Sequence, residues 1–285
     1  MNTLNDGGLN NQVTKPPINS EQATTLIVEL AKQLVNRVIE IRGNNKPPFL
    51  PVEYARLKGI KNIIKADLGK TSGLLLRFHD GPVIKINQNQ SLTRQNFSCA
   101  HEIGHILFSE LKLENYISGI EHRTFNPQAK MKVRADARER LCDAAATELL
   151  MPEAIYQKYL SSFGVTIHAV ERLSDIFQVS LRAAVRRIAE VSIEPCIALV
   201  WQPLQKTNML QLVQCTGPER KPIYSPVHTK IRYPSVLHKA LEQNRQEKCY
   251  KSFKIGTGIK RLPMESKGFG RDEYRCVVSL AFLDR

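Results

Sequence analysis

The chain has 285 residues, 42% hydrophobic and 24% charged, which is enough to bury a core and at this length suggests about two domains. Its 41 Lys and Arg against 27 Asp and Glu give a net charge of +14. Six cysteines (99, 142, 196, 215, 249, 276) show no pairing spacing, which excludes a disulfide scaffold and reads as reduced thiols in a cytoplasmic protein.

Met1 to Pro17 is rich in Asn, Gly and Thr. It lacks a charged-then-apolar leader, so residues 1–19 are expected to be a disordered tail. No apolar run approaches the ~20 residues of a membrane span, so no membrane partner is expected. From Ser20 to Gly43, the apolar positions 23, 26, 27, 30, 34, 38 and 41 follow helical spacing, and Gly43 ends the helix. A short helix is expected over Val52–Leu57. Strands are expected over Ile60–Ala66, Gly73–Phe78 and Pro82–Asn87, the last two joined by the turn signal His79-Asp80-Gly81. An edge strand of such a sheet would hold a substrate segment in extended form.

The next segment carries Cys99-Ala100-His101-Glu102-Ile103-Gly104-His105. On a helix, His101 and His105 lie one turn apart on the same face and can reach one metal ion. Glu102 is then placed to take a proton from the attacking water rather than to bind metal. The flanks Phe97, Ala100, Ile103, Ile106, Leu107 and Phe108 are apolar, so the helix is buried and its polar groups need partners.

A catalytic metal of this kind takes three protein ligands. Residues 133–151 are rich in Ala and Leu, with no Gly or Pro until Pro152, and read as a helix. Glu139 and Asp143 share one face of it, as a metal ligand and a carboxylate accepting the free N–H of a ligand histidine would. Asp136 and Glu148 are the rivals for the ligand role. Glu139 could also be a plain ion-pair partner of Arg138 or Arg140.

Val83–Asn87, Thr93–Phe97 and Ala100–His105, followed by Glu139 and Leu149-Leu150-Met151-Pro152, together resemble the ImmA/IrrE metallopeptidases over about residues 50–190. The resemblance implies a zincin-like core. It makes His101, His105 and Glu139 metal ligands and Glu102 the general base, and it implies a helix-turn-helix repressor protein as substrate. Length and layout are similar to the longer IrrE-like branch, which adds a helix-turn-helix segment and a GAF-like sensing domain. The loop between Leu107 and Val133 is longer than the family pattern and holds Tyr116, His122 and Arg123. His122 is the candidate oxyanion stabiliser.

After Pro152, Ile155–Phe163 continues the helical region, and Thr166–Phe177 and Leu181–Val191 form two helices around Gln178-Val179-Ser180. Arg182, Arg186 and Arg187 lie where a DNA reader would carry its contacts, but no Asn or Gln stands there to read bases. Packing support is the favoured role and DNA a secondary partner. In Pro195–Arg285, a hairpin over 197–215, a helix over Val236–Gln246 and a strand over Tyr274–Leu283 suggest a small α+β domain. Its 16 basic and 7 acidic residues hold +9 of the chain's +14. Gly256-Thr257-Gly258, between Lys254 and Lys260, is a weak phosphate-binding signal. Whether this region binds a small molecule is open at the level of sequence.

The expected architecture is α+β: a metallopeptidase domain over 20–163, a helix-turn-helix segment over 164–194, and a GAF-like sensory or docking domain over 195–285 that could be removed without unfolding the core. The expected activity is a single-metal endopeptidase using zinc, with manganese equally accepted by a His₂Glu set. It would derepress stress-response or mobile-element genes by cutting a repressor. The alternative is a metal-dependent DNA-binding regulator or sensor without proteolysis.

Overall fold

The computed structural model describes residues 19–113, 127–218, 224–270 and 275–283. Helix α1 (Ser20–Arg42) opens with a reciprocal cap. Asn19 Oδ1 accepts from the Gln22 N–H and Gln22 Oε1 accepts from the Asn19 N–H, each at 2.8 Å. Ala23, Ile27, Ala31, Leu34 and Val38 form its buried stripe, whereas Leu26 and Ile41, counted in the stripe by spacing, face outward. Gly43 ends the helix in the left-handed conformation at φ 67°. Helix α2 (Pro51–Leu57) is tied to the end of α1 by the ion pair of Arg42 with Glu53.

Three strands follow: β1 (Asn62–Ala66), β2 (Gly73–Phe78) and β3 (Gly81–Asn87). They form a sheet in the order β1-β3-β2, in which β3 runs parallel to β1 and antiparallel to β2. The central strand β3 buries Ile84 and Ile86, and among the described residues β2 pairs with no strand on its other side.

Helix α3 (Leu92–Glu110) carries the two-histidine motif and packs on this sheet and on α4 (Pro127–Leu150). Gly104 makes the α3–α4 contact possible, since a Cβ there would lie 2.8 Å from the Cys142 carbonyl oxygen. Helices α5 (Glu153–Phe163), α6 (Ile167–Phe177) and α7 (Leu181–Val191) complete the helical layer. The α6–α7 turn has Gln178 in the left-handed region, Ser180 capping α7, and Ser174 Oγ donating to the Val179 carbonyl at 2.7 Å.

Two of the three arginines of α7 are engaged within the structure, while Arg182 is exposed. Arg187 is buried, pairs with Glu148 of α4 at 2.5 Å and donates to the Met151 carbonyl. Arg186 is exposed and pairs with Glu190.

Seven strands make the second sheet: β4 (Cys196–Leu204), β5 (Met209–Thr216), β6 (Tyr224–Pro226), β7 (Lys230–Arg232), β8 (Gln246–Ile255), β9 (Gly258–Phe269) and β10 (Cys276–Phe282). Their order is β6-β8-β9-β10-β4-β5-β7, with every pairing antiparallel. Helix α8 (Val236–Gln243) packs on one face, over Trp201, Phe253 and Leu262. It is shorter than expected because Asn244 terminates it in the left-handed conformation. The β8–β9 hairpin is not visible in residue spacing alone. Gly256-Thr257-Gly258 is simply its turn, with Ile255 paired to Gly258.

The other face of this sheet has no core of its own. Cys196, Ala198, Val200, Val278, Leu280 and Phe282 share one buried cluster with α6, α7 and the helices beyond. The segment 164–194 therefore packs on the second sheet, and residues 195–285 are built onto it rather than tethered by a linker.

Candidate active site

Two helices build the site. Ser91 caps α3 by accepting from the Arg94 N–H, and the apolar face of Ala100, Ile103 and Leu107 fixes its rotation. His101 and His105 then emerge one turn apart and half-buried, their rings edge to face at 4.9 Å. From α4, Glu139 and Asp143 project toward them. His101 Nδ1 lies 2.8 Å from Asp143 Oδ1 and His101 Nε2 lies 2.9 Å from Glu139 Oε2. His105 Nε2 is 3.8 Å from Glu139 Oε1, and its Nδ1 is 3.2 Å from Cys142 Sγ.

Each histidine thus has its Nδ1 engaged by α4, by the Asp143 carboxylate in one case and the Cys142 sulfur in the other. Donation through Nδ1–H leaves both Nε2 atoms turned to the same space as the Glu139 carboxylate. One ligand atom from each of His101, His105 and Glu139 lies within 4.8 Å of the others, the only such metal-holding group of His, Cys, Asp or Glu among the described residues. The donor set suits a divalent metal such as zinc. Of the rivals for the third position, Glu148 is buried elsewhere against Arg187, and Asp136 is exposed and outside the group.

Electrostatics favour the neutral, ligating form of His105 and the protonated form of His101, so a metal would have to displace a proton from His101. Burial, reinforced by the neighbouring His101, lowers His105 to about 4, so it is neutral near pH 7. Burial also opposes charge on His101, but Asp143 and Glu139 outweigh it and its pKa ends above the usual histidine range. Burial pushes the Cys142 thiol up, and it stays protonated.

Glu102 sits on the same helix, 8% exposed, at the floor of a cleft of about 910 Å³. Its carboxyl is raised above the usual glutamate range by burial and by Glu139, a shift opposed by His101 and by the Leu75 backbone N–H that faces it. Gly73 makes room for this carboxylate, because a Cβ there would lie 3.0 Å from Glu102 Oε1. The spacing of the sequence does not single out Gly73 or Gly104, since both act through contacts between elements distant in the chain. His122, Tyr116 and Arg123 lie outside the described residues.

Residues 59–189 match the family model of the IrrE N-terminal-like domain, a metallopeptidase family. This segment belongs to the ImmA/IrrE family. The chain is 34% identical over 121 residues to the radiation response metalloprotease IrrE of Deinococcus radiodurans, covering 42% of this chain and 35% of that protein. It is 31% identical over 118 residues to the protein of the same name from Deinococcus deserti, covering 41% and 40%. The match therefore spans little more than a third of the length of these curated relatives. Beyond the IrrE-like segment, the likeness is one of fold. A transcriptional regulator of Mycobacterium tuberculosis superposes with a TM-score of 0.58 over 93% of this chain and 81% of that one, at 13% identity.

Proposed function

We propose that the protein is a metal-dependent endopeptidase that cuts a helix-turn-helix repressor protein. The observation that carries this reading is the convergence of His101, His105 and Glu139 on one point beside the buried carboxylate of Glu102. His101, His105 and Glu139 would hold the metal, zinc or manganese, and Asp143 would orient His101. When bound, the metal would acidify a water and polarise the scissile carbonyl.

The chain's own groups do the rest. The outer edge of β2 pairs with an extended substrate segment and lays its backbone across the cleft. Glu102 accepts a proton from the water as its oxygen bonds to the carbonyl carbon. The same carboxyl then donates that proton to the amide nitrogen as the C–N bond breaks. A carboxyl held above its usual range suits both halves of this transfer. Asp143 keeps the His101 ring in one orientation throughout.

The repressor as substrate is what the family resemblance implies, and the link to stress is supported by the names of the Deinococcus relatives, radiation response metalloproteases. The sheet of residues 195–285, flanked by helices on both faces, would serve as the sensing or docking part. Direct reading of DNA by α7 is disfavoured by the burial of Arg187.

The test compares protein N-termini in cells carrying the wild type or Glu102→Gln, before and after DNA damage. A new terminus within one helix-turn-helix repressor, seen only with the wild type, supports the reading. Identical termini in both under every condition would sink it. With purified protein, Glu102→Gln should retain its metal and lose cleavage by about 10²–10⁴-fold. Metal loss in this variant would make Glu102 a ligand.

A further inference from the structure

The cleft that holds Glu102 is also lined by three arginines, Arg77, Arg94 and Arg138. Arg138 lies against Glu139, with Nε to Oε1 at 3.4 Å, and its charge is partly met there. Arg77 and Arg94 are different. Among the described residues neither has a carboxylate partner. Arg77 Nη2 donates to Ser109 Oγ at 3.0 Å, and Arg94 Nη2 approaches Ser72 Oγ at 3.4 Å. A hydroxyl orients a guanidinium without neutralising it, so both arginines keep a full charge facing the cleft.

Their placement follows the edge strand. Ser72, which marks the position of Arg94, immediately precedes β2, and Arg77 is the fifth residue of β2. Five extended steps span about 17 Å. Glu102 lies between, against Gly73 and the Leu75 N–H, while Ser109, which holds Arg77, is one turn beyond His105 on α3. A peptide paired to β2 would therefore run with its reacting bond over Glu102 and one arginine at either side.

We propose that Arg94 and Arg77 determine substrate choice, selecting an extended segment with an acidic side chain on each side of the scissile bond, about four to five residues apart. The proposal rests on the endopeptidase reading above and names the substrate class of that site. Each carboxylate would take a charge-assisted, bidentate pairing with a pre-oriented guanidinium, and a lysine in the same place would meet like charge.

The test measures binding to metal-loaded Glu102→Gln protein by fluorescence anisotropy. Three peptides of one extended sequence carry Glu, Gln or Lys at the two flanking positions. The Glu peptide should bind on the order of tenfold more tightly than the Gln peptide, and the Lys peptide weakest. Arg77→Gln and Arg94→Gln should each remove part of that preference, and together all of it. The double reversal Arg77→Glu with Arg94→Glu should favour the Lys peptide. Both residues are exposed, so unchanged melting and metal content serve as folding checks.

Equal binding of the three peptides, no binding of any, or a preference that survives the double Gln variant would overturn the proposal. The underlying reading fails separately: charge-dependent binding with no cleavage of the Glu peptide by the wild type would leave the arginine selection standing and remove the peptidase.

Discussion

His101 is held from two sides, its Nδ1 by Asp143 and its Nε2 beside Glu139, so its orientation depends on a residue that need not touch the metal. Asp143→Ala should lower metal affinity about 10–100-fold, measured by competition with a chelator. Unchanged affinity would mean that packing alone fixes the ring. Glu139→Ala should lose most of the metal by elemental analysis, and full retention would point to another carboxylate. Gly73→Ala tests the room left for Glu102. With a Cβ 3.0 Å from Oε1 the carboxylate must shift, so kcat should fall with metal content unchanged. At this scale the pairing of His101 with His105 and of Glu139 with Asp143 was legible in the sequence, because helical spacing at i, i+4 fixes which side chains share a face. Gly73 was not, because its role is to make space for a residue distant in the chain.

At the scale of elements the site is a contact between α3 and α4, and Gly104 sets how close they come. Gly104→Ala would place a Cβ 2.8 Å from the Cys142 carbonyl. It should cost about 1–3 kcal/mol of stability by overpacking, read by denaturant unfolding, and should weaken metal binding as Glu139 is pushed away. The α4–α7 contact carries the Arg187–Glu148 pair, with side chains 9% and 4% exposed. Arg187→Ala would leave Glu148 buried and unpaired and should destabilise by about 3–5 kcal/mol. Restoring stability by changing Glu148 as well to a hydrophobic residue would locate the cost in the orphaned charge, and an undiminished loss would place it in packing. Sequence periodicity places α3, α6 and α7 because each has an apolar stripe, and Ala/Leu-rich composition without Gly or Pro over 133–151 places α4. Periodicity misses β8 and β9 because β8 alternates exposed Lys248, Tyr250 and Lys254 with partly buried positions and shows no continuous apolar run.

Across the whole molecule one buried cluster runs from α1 through α7 to one face of the second sheet. The sequence suggests a removable C-terminal region. The shared core instead predicts that truncation at residue 194 uncovers Ala184, Val185 and Ile188 on α7. The shortened chain should be insoluble or melt well below the full-length protein, and a soluble, metal-loaded core with an unchanged melting temperature would contradict this. Through the same continuity α7, which packs on β4 and β10, is joined to α4 by the Arg187–Glu148 pair.

The sequence by itself determined the candidate residues, His101, Glu102, His105 and Glu139 with its rivals, and the family resemblance, because that pattern is written in residues four apart on single helices and in one motif run. Only the tertiary structure decided that Glu139 stands within reach of both histidines, that glycines set the approach of helix to helix and strand to carboxylate, and that arginines from β2 and α3 line one cleft. These depend on distances between elements far apart in the chain, and side-chain spacing along one element carries no information about them.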